Sequence, residues 1–153
     1  MRLFGLIGHP LTHSFSANFF SEKFLKEGIT DCRYELFPLS SIEELPALLQ
    51  QYPNLEGLNV TSPYKEQVMK YLSGHFIPLA LTACNCIRVQ NGQCYGFNTD
   101  WIGFEKSLLP LLQPKQQAAL VLGKGGASQA VLYVLKKNGI PFTVVSRQLQ
   151  PGV

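Results

Sequence analysis

The 153-residue chain has little charge and no long apolar run. Charged residues make up 15% of it and apolar residues 46%, a balance typical of a globular protein rather than a disordered one. No apolar run approaches the roughly 18 residues of a membrane-spanning helix. The basic residues are scattered, the net charge is only +3, and no basic stripe with interleaved aromatics indicates a nucleic-acid surface. The sequence thus argues against both a membrane and a nucleic acid as partner.

The amino-terminal apolar segment also lacks the features of a signal peptide. Residues 3–8 are broken by glycine, precede His9-Pro10 and have no small-residue cleavage site. They predict a first strand, and we expect a cytoplasmic chain. Its length fits one domain, or one domain and part of another. The oligomeric state stays open, a homodimer included.

The cysteines do not have the spacing of a metal site. Cys84-Asn85-Cys86 is a C-x-C pair, and no histidine lies at ligand spacing from any of the four cysteines. We therefore expect reduced thiols packed in a core, and no metal.

Apolar periodicity and turn residues predict an α/β fold with one antiparallel hairpin over the first hundred or so residues. Asn91-Gly92 is typical of a tight hairpin turn, and Ser41 with Glu44 of a helix-opening capping box. The predicted strands are residues 3–8, 32–39, 55–60, 86–89 and 93–97, and the predicted helices are residues 16–27, one from 42, one from 63 and 100–109.

A polar segment after Pro110 precedes a second unit. Strand 119–122, helix 127–138 and strand 141–146 follow one another there. The predicted fold is therefore α/β, with a mixed-sheet amino-terminal domain at residues 1–112, including a linker helix. An incomplete Rossmann-type βαβ unit occupies residues 113–153.

The segment Asn59-Val60-Thr61-Ser62-Pro63-Tyr64-Lys65 follows a predicted buried strand, and Pro63 suits a first helical position. Asn59, Thr61 and Lys65 therefore converge at the carboxyl end of a strand, where open α/β sheets bind ligands. A lysine beside neutral hydrogen-bonding groups can move a proton at a hydroxyl or ketone. A solvated lysine at a helix start is the alternative.

The second unit contains a glycine loop, Gly123-Lys124-Gly125-Gly126-Ala127-Ser128, between its first strand and its helix. This context predicts a dinucleotide site, with Ser128 as the small residue that closes the contact between helix and strand. The next strand ends in Ser146-Arg147 without an acidic residue. Arginine suits a 2′-phosphate, so NADP is favoured over NAD, although a surface arginine is the alternative.

Two further polar segments follow predicted strands. Ser14 and Ser16 come after the first strand, and Asn98-Thr99-Asp100 comes after the hairpin. Taken singly, Ser16 and Asp100 are also explained as helix N-caps.

Together these segments, in this order, resemble the shikimate dehydrogenase family. Asn85, in Ala83-Cys84-Asn85-Cys86, matches the asparagine of that family's Ala-Val-Asn-Thr run. The resemblance implies that Lys65 and Asp100 are the catalytic pair. It implies substrate contacts from Ser14, Ser16, Asn59, Thr61, Asn85, Thr99 and Asp100. It further implies NADP contacts from Gly123, Lys124, Gly125, Gly126, Ala127, Ser128, Ser146 and Arg147.

The implied reaction is the reversible, NADP-dependent reduction of 3-dehydroshikimate to shikimate in aromatic amino acid biosynthesis. Family members are longer, so we expect a truncated chain with weak NADP affinity and reduced turnover. Three alternatives remain: a quinate/shikimate dehydrogenase using NAD or NADP, a non-catalytic shikimate-binding fragment, and a self-associating fragment with an exposed sheet edge.

Overall fold

The computed structural model describes residues 1–12, 14–113 and 118–146. Its strands are β1 (Arg2–Gly8), β2 (Cys32–Pro38), β3 (Leu55–Val60), β4 (Gly74–His75), β5 (Cys86–Gln90), β6 (Gln93–Phe97), β7 (Ala119–Leu122) and β8 (Phe142–Val145). Its α-helices are α1 (Ser16–Lys26), α2 (Leu45–Gln51), α3 (Asp100–Leu108) and α4 (Gly126–Lys137). Three short 3₁₀ helices lie at Ile42–Glu44, Gln67–Tyr71 and Leu109–Leu111.

The chain forms two compact units. The first comprises Met1–Ile77 and Ala83–Phe97, and the second comprises Pro78–Thr82 and Asn98–Val153. This division follows from packing contacts. The division by function at residues 112 and 113 stays a prediction.

The first unit is built on a six-stranded mixed sheet in the order β2-β1-β3-β5-β6-β4. Strand β1 is central and pairs in parallel with β2 and β3. Strand β5 then runs antiparallel to β3 and forms the hairpin with β6. The hairpin turn has positive φ at both Asn91 (52°) and Gly92 (73°), as an Asn-Gly two-residue turn requires. The predicted mixed-sheet α/β class is confirmed.

Helix α1 packs one apolar cluster against the sheet. Leu6, Leu11 and Tyr34 are buried there, and Phe20 and Phe24 of α1 lie against them. The core also contains the fully buried Leu3, Ile7, Leu45, Val68 and Ile87. The Leu6 cluster lies beside the strand ends that carry the polar residues.

The second unit contains the predicted βαβ arrangement. Strands β7 and β8 are parallel, with Ala119 opposite Phe142. Helix α4 connects them and packs on α3, where the rings of Trp101 and Tyr133 lie 5.3 Å apart.

Two local predictions are wrong. Pro63 does not begin an α-helix: residues 62–66 form turns, followed by the 3₁₀ helix Gln67–Tyr71. Tyr64 is buried and its hydroxyl donates to Leu39 O over 2.6 Å, so a tertiary contact fixes this turn in place of helical hydrogen bonds. Asp100 is the first residue of α3 and not its N-cap, which is Thr99; the Asp100 N–H donates to Asn98 Oδ1 over 3.0 Å.

The described helices include none that is long and apolar enough to cross a membrane.

All four cysteines are free, with Cys84 and Cys94 buried and the other two half-buried. Burial raises the pKa of the Cys84 thiol to about 11, so that group is protonated at neutral pH. Among the described residues, no group of His, Cys, Asp and Glu could hold a metal ion.

Candidate functional site

The carboxyl end of β3 is joined to its neighbours by backbone hydrogen bonds. The Thr61 N–H donates to Ile7 O of β1 over 2.9 Å, and the Val60 N–H donates to Asn85 O over 2.9 Å. These bonds place Thr61 beside the end of β1 and Asn85 beside the end of β3. Both residues were predicted to bind substrate, and the sheet brings their backbones to one edge.

The turn after β3 brings Lys65 to the same edge. The Cys84 N–H donates to the Lys65 carbonyl over 2.7 Å, so the backbone of Lys65 lies next to the residue that precedes Asn85. The His9 N–H donates to Ser62 O over 3.0 Å and fixes the other side of the turn. The backbone of Lys65 thus lies in a turn that is bonded to the residues just after β1 and just before β5.

Ser14 and Ser16 lie beside Thr61 in one concavity. The Ser16 N–H donates to Ser14 Oγ over 3.3 Å, so the Ser14 hydroxyl lies at the start of α1, whose N-cap is Phe15. Both serines and Thr61 line a cavity of about 370 Å³, together with Leu6, Pro10, Leu11, Thr12 and Phe15. A volume of this size and a lining with hydroxyl groups suit a small polyhydroxylated ligand. We call this cavity, with Lys65 and Asn85, the polar edge.

Asn59 lines a second cavity and not the one that Ser14, Ser16 and Thr61 share. Its Oδ1 accepts a hydrogen bond from the Tyr34 hydroxyl over 2.8 Å. Both residues line a mainly apolar cavity of about 420 Å³ with Phe20 and Cys86. Sequence reasoning missed Tyr34. Its only signal is a tyrosine in an alternating strand, which equally indicates an ordinary core residue.

Thr99 and Asp100 belong to the second unit. Asp100 is the first residue of α3, and the Thr99 carbonyl accepts from the Gly103 N–H over 3.0 Å within the first turn. The pairing of Asp100 with Lys65 stays a prediction.

The glycine loop combines a left-handed residue with a helix start that has no side-chain cap. Gly123 has φ +102°, a left-handed conformation suited to glycine, and its N–H donates to Val145 O over 2.8 Å. A Cβ built on Gly123 would lie 3.6 Å from Ser128 Oγ, an ordinary contact, so the positive φ and not crowding favours glycine there. A Cβ on Gly125 would meet nothing within 4 Å, so space is open in front of the helix start.

Helix α4 begins at Gly126 with no side-chain cap. Its first-turn N–H groups therefore suit a pyrophosphate, and these residues fit the cofactor. Ser146 directly follows β8, as predicted, and Arg147 lies outside the described residues. The cofactor contacts predicted from Gly123 to Ser128 and at Ser146 remain predictions.

Comparison with known proteins agrees with this geometry. Residues 6–87, which carry most of the polar edge, match the family described as the shikimate dehydrogenase substrate-binding domain. The chain belongs to this family. The resemblance and the fold class expected from the sequence are therefore confirmed.

Members of the family include an NADP(+) shikimate dehydrogenase of Aquifex aeolicus, which is 39% identical over 99% of this chain and 57% of its own length. The crystal structure of shikimate dehydrogenase 1 from Peptoclostridium difficile superposes with a TM-score of 0.87 at 32% identity, over 100% of this chain and 58% of that one. The shikimate 5-dehydrogenase of Thermus thermophilus, solved with NADP(H) and shikimate, gives a TM-score of 0.82 at 32% identity, over 97% and 57%. The chain therefore spans little more than half the length of these relatives.

Proposed function

We propose that this chain carries the substrate-binding part, and the start of the NADP-binding part, of a shikimate dehydrogenase. One observation supports this proposal above the others: Ser14, Ser16 and Thr61 line one small cavity. Hydroxyl groups there, with the backbones of Lys65 and Asn85 held at the same sheet edge, suit a small acid that carries several hydroxyls. The relative from Thermus thermophilus, solved with shikimate, supports that substrate.

Lys65 is the proposed proton donor. Reduction of the 3-keto group of 3-dehydroshikimate develops negative charge on the carbonyl oxygen, and an ammonium group at that oxygen stabilises the charge and supplies the proton. In the reverse direction the neutral amine accepts the proton from the 3-hydroxyl. Asp100 is the proposed partner that accepts a hydrogen bond from a substrate hydroxyl and orients the lysine. Asn59, Asn85 and Thr99 complete the proposed set of substrate contacts.

NADPH, when bound, supplies the hydride. The N–H groups of Gly125, Gly126 and Ala127 would hold its pyrophosphate, because they open α4 without a capping side chain. Lys124 would add a cation beside these phosphates. Ser146 and Arg147 would hold the adenosine 2′-phosphate.

A second candidate function is shikimate binding without turnover, and the small sheet of the second unit favours it. Its described sheet has only two strands, with Leu120 and Leu122 65% and 74% exposed. A sheet that small contributes little packing, so NADP could be held weakly. A cytoplasmic location and a homodimer also remain predictions.

The test follows NADP⁺ reduction with shikimate by the 153-residue chain and by Lys65→Met, which removes the charge and keeps an unbranched side chain. Lys70→Met is the matched control, because Lys70 is exposed and its nearest carboxylate, Glu43, lies 3.8 Å away. We expect turnover to fall at least about 100-fold in Lys65→Met, since general acid–base groups contribute about 10²–10⁴-fold. Lys70→Met should match the wild-type chain.

Turnover that survives in Lys65→Met would contradict the proposed role of the lysine. If the wild-type chain shows no turnover, shikimate binding decides between the candidates. Binding would support the non-catalytic candidate, and no binding would contradict both. Quinate in place of shikimate, and NAD⁺ in place of NADP⁺, test the broader dehydrogenase: equal rates would favour it.

A further inference from the structure

The Tyr34 side chain lies against two predicted substrate residues, Asn59 and Ser16. Its hydroxyl donates to Asn59 Oδ1 over 2.8 Å. It also forms a hydrogen bond with the side chain of Ser16. These three residues come from β2, β3 and the start of α1, so the tyrosine lies where three separate segments meet.

The ring of Tyr34 has little freedom to move. The residue is 7% exposed, and its ring stacks on Phe20 with centroids 4.4 Å apart and planes 15° apart. Side chains packed in this way keep one rotamer. The position of the hydroxyl is therefore set by the core and not by the ligand.

The hydroxyl is a donor throughout the working pH range. Burial raises the pKa of Tyr34 to about 12, and the hydrogen bond with Ser16 lowers it to a smaller extent. The protonated phenol can therefore donate its proton to Asn59 at any pH used for an assay.

This contact fixes the orientation of the Asn59 amide. With Oδ1 facing Tyr34, the Nδ2 group faces away from it, and the structure gives Nδ2 no partner among the described residues. Among the described residues, every buried side-chain nitrogen or oxygen has a hydrogen-bond partner. Nδ2 has none there, so it is accessible to solvent or ligand. An amide can present either a donor or an acceptor, and here it presents two N–H donors.

We propose that Tyr34 is a positioning residue that locks Asn59 as a hydrogen-bond donor toward the substrate, and thereby selects ligands with an acceptor oxygen at that place. The proposal rests on the proposed function for the identity of the substrate. Tyr34 itself does not contact the substrate. It acts through Asn59.

The test is Tyr34→Phe, which keeps the ring and its stacking and removes only the hydroxyl. Tyr95→Phe is the matched control, because the Tyr95 hydroxyl donates to the amide oxygen of Gln93 over 2.7 Å, on the exposed hairpin and away from the polar edge. Shikimate affinity is measured by calorimetry. The side-chain amide resonances of Asn59 are followed by NMR in the free chain.

We expect Tyr34→Phe to weaken shikimate binding about 3- to 10-fold, the loss of one hydrogen bond worth about 0.5–1.5 kcal/mol. It should also displace the Asn59 amide resonances, whereas Tyr95→Phe changes neither quantity. The loss of affinity should vanish when Asn59 is already alanine, because the tyrosine acts through that residue. A loss that persists in the Asn59→Ala background would show a merely structural role and overturn the proposal.

Unchanged Asn59 resonances in Tyr34→Phe would also overturn it. If the wild-type chain binds no shikimate, the proposed function is contradicted. If the Asn59 resonances are nevertheless displaced in Tyr34→Phe, the contact by which Tyr34 orients Asn59 is supported. The two failures are therefore distinguishable.

Discussion

Gly8, at the end of β1, is the position where one added methyl group should disturb both the fold and the polar edge. A Cβ built there would overlap Thr61 Cγ2 and lie 2.8 Å from Leu11 Cδ2 and 3.1 Å from Ser62 O. Leu11 and the backbone of Thr61 have little room to move away. Leu11 is 7% exposed, and the N–H of Thr61 is bonded to Ile7 O. Relief therefore requires a shift of the β1 end or a rotation of the Thr61 side chain.

Overpacking of this kind costs about 1–3 kcal/mol. A loss of about 2 kcal/mol in the free energy of opening makes hydrogen exchange roughly 30-fold faster. This applies to amides that exchange only when the sheet opens. Gly8→Ala should show this acceleration at the β1 and β3 amides. It should also weaken shikimate binding, because a rotated Thr61 points its hydroxyl elsewhere.

Gly74→Ala in β4 is the control for Gly8→Ala. Its added Cβ would lie 3.5 Å from Tyr95 Cδ1, an ordinary contact, so exchange should stay near the wild-type rate. Wild-type exchange rates and wild-type shikimate affinity in Gly8→Ala would refute the argument that β1 and Thr61 are closely packed.

Two predictions concern the second unit. Gly103 lies inside α3, where an added Cβ meets nothing within 4 Å. Gly103→Ala should therefore stabilise the unit by about 0.5–1 kcal/mol. Unfolding is followed by the fluorescence of the single tryptophan, Trp101. A loss of stability would show that α3 is packed more tightly than described. Hydrogen bonds from Lys137 and then Asn138 lower the pKa of Glu105 in the folded unit. The ionised carboxylate therefore stabilises the unit fully when the pH is above the ordinary glutamate pKa of about 4.3. This stabilisation is lost as the pH falls through the lower pKa of the folded unit. Glu105→Gln should therefore destabilise the unit at about pH 7 and match the wild-type chain at about pH 2, and an equal effect at both would contradict the charge argument.

Much of the fold follows from local sequence signals. Strands β3 and β7 have the predicted limits, because each is a short apolar run bounded by turn residues. Asn91-Gly92 predicted the hairpin, because few other residue pairs accept positive φ at both positions. The glycine loop was predicted for the same local reason, and Gly123 has the left-handed φ that the turn requires.

What sequence reasoning missed depends on contacts between distant residues. The turn at Pro63 is fixed by the bond from Tyr64 to Leu39, 25 residues earlier. Tyr34 and Asn59 are likewise 25 residues apart, and their side chains meet although β1 lies between their strands. Strand β4 has two residues, too few for any period, and it forms by pairing with β6. Patterns within one segment cannot indicate such partners.

Titration of the ¹⁵N-labelled chain with shikimate tests the central claim most directly, because NMR shift changes identify the binding residues without requiring turnover. The account predicts saturable shift changes concentrated at Ser14, Ser16, Thr61, Lys65 and Asn85, with the hairpin turn at Asn91 and Gly92 unaffected. No saturable change, or changes centred away from the polar edge, would contradict the assignment of this edge as a shikimate site.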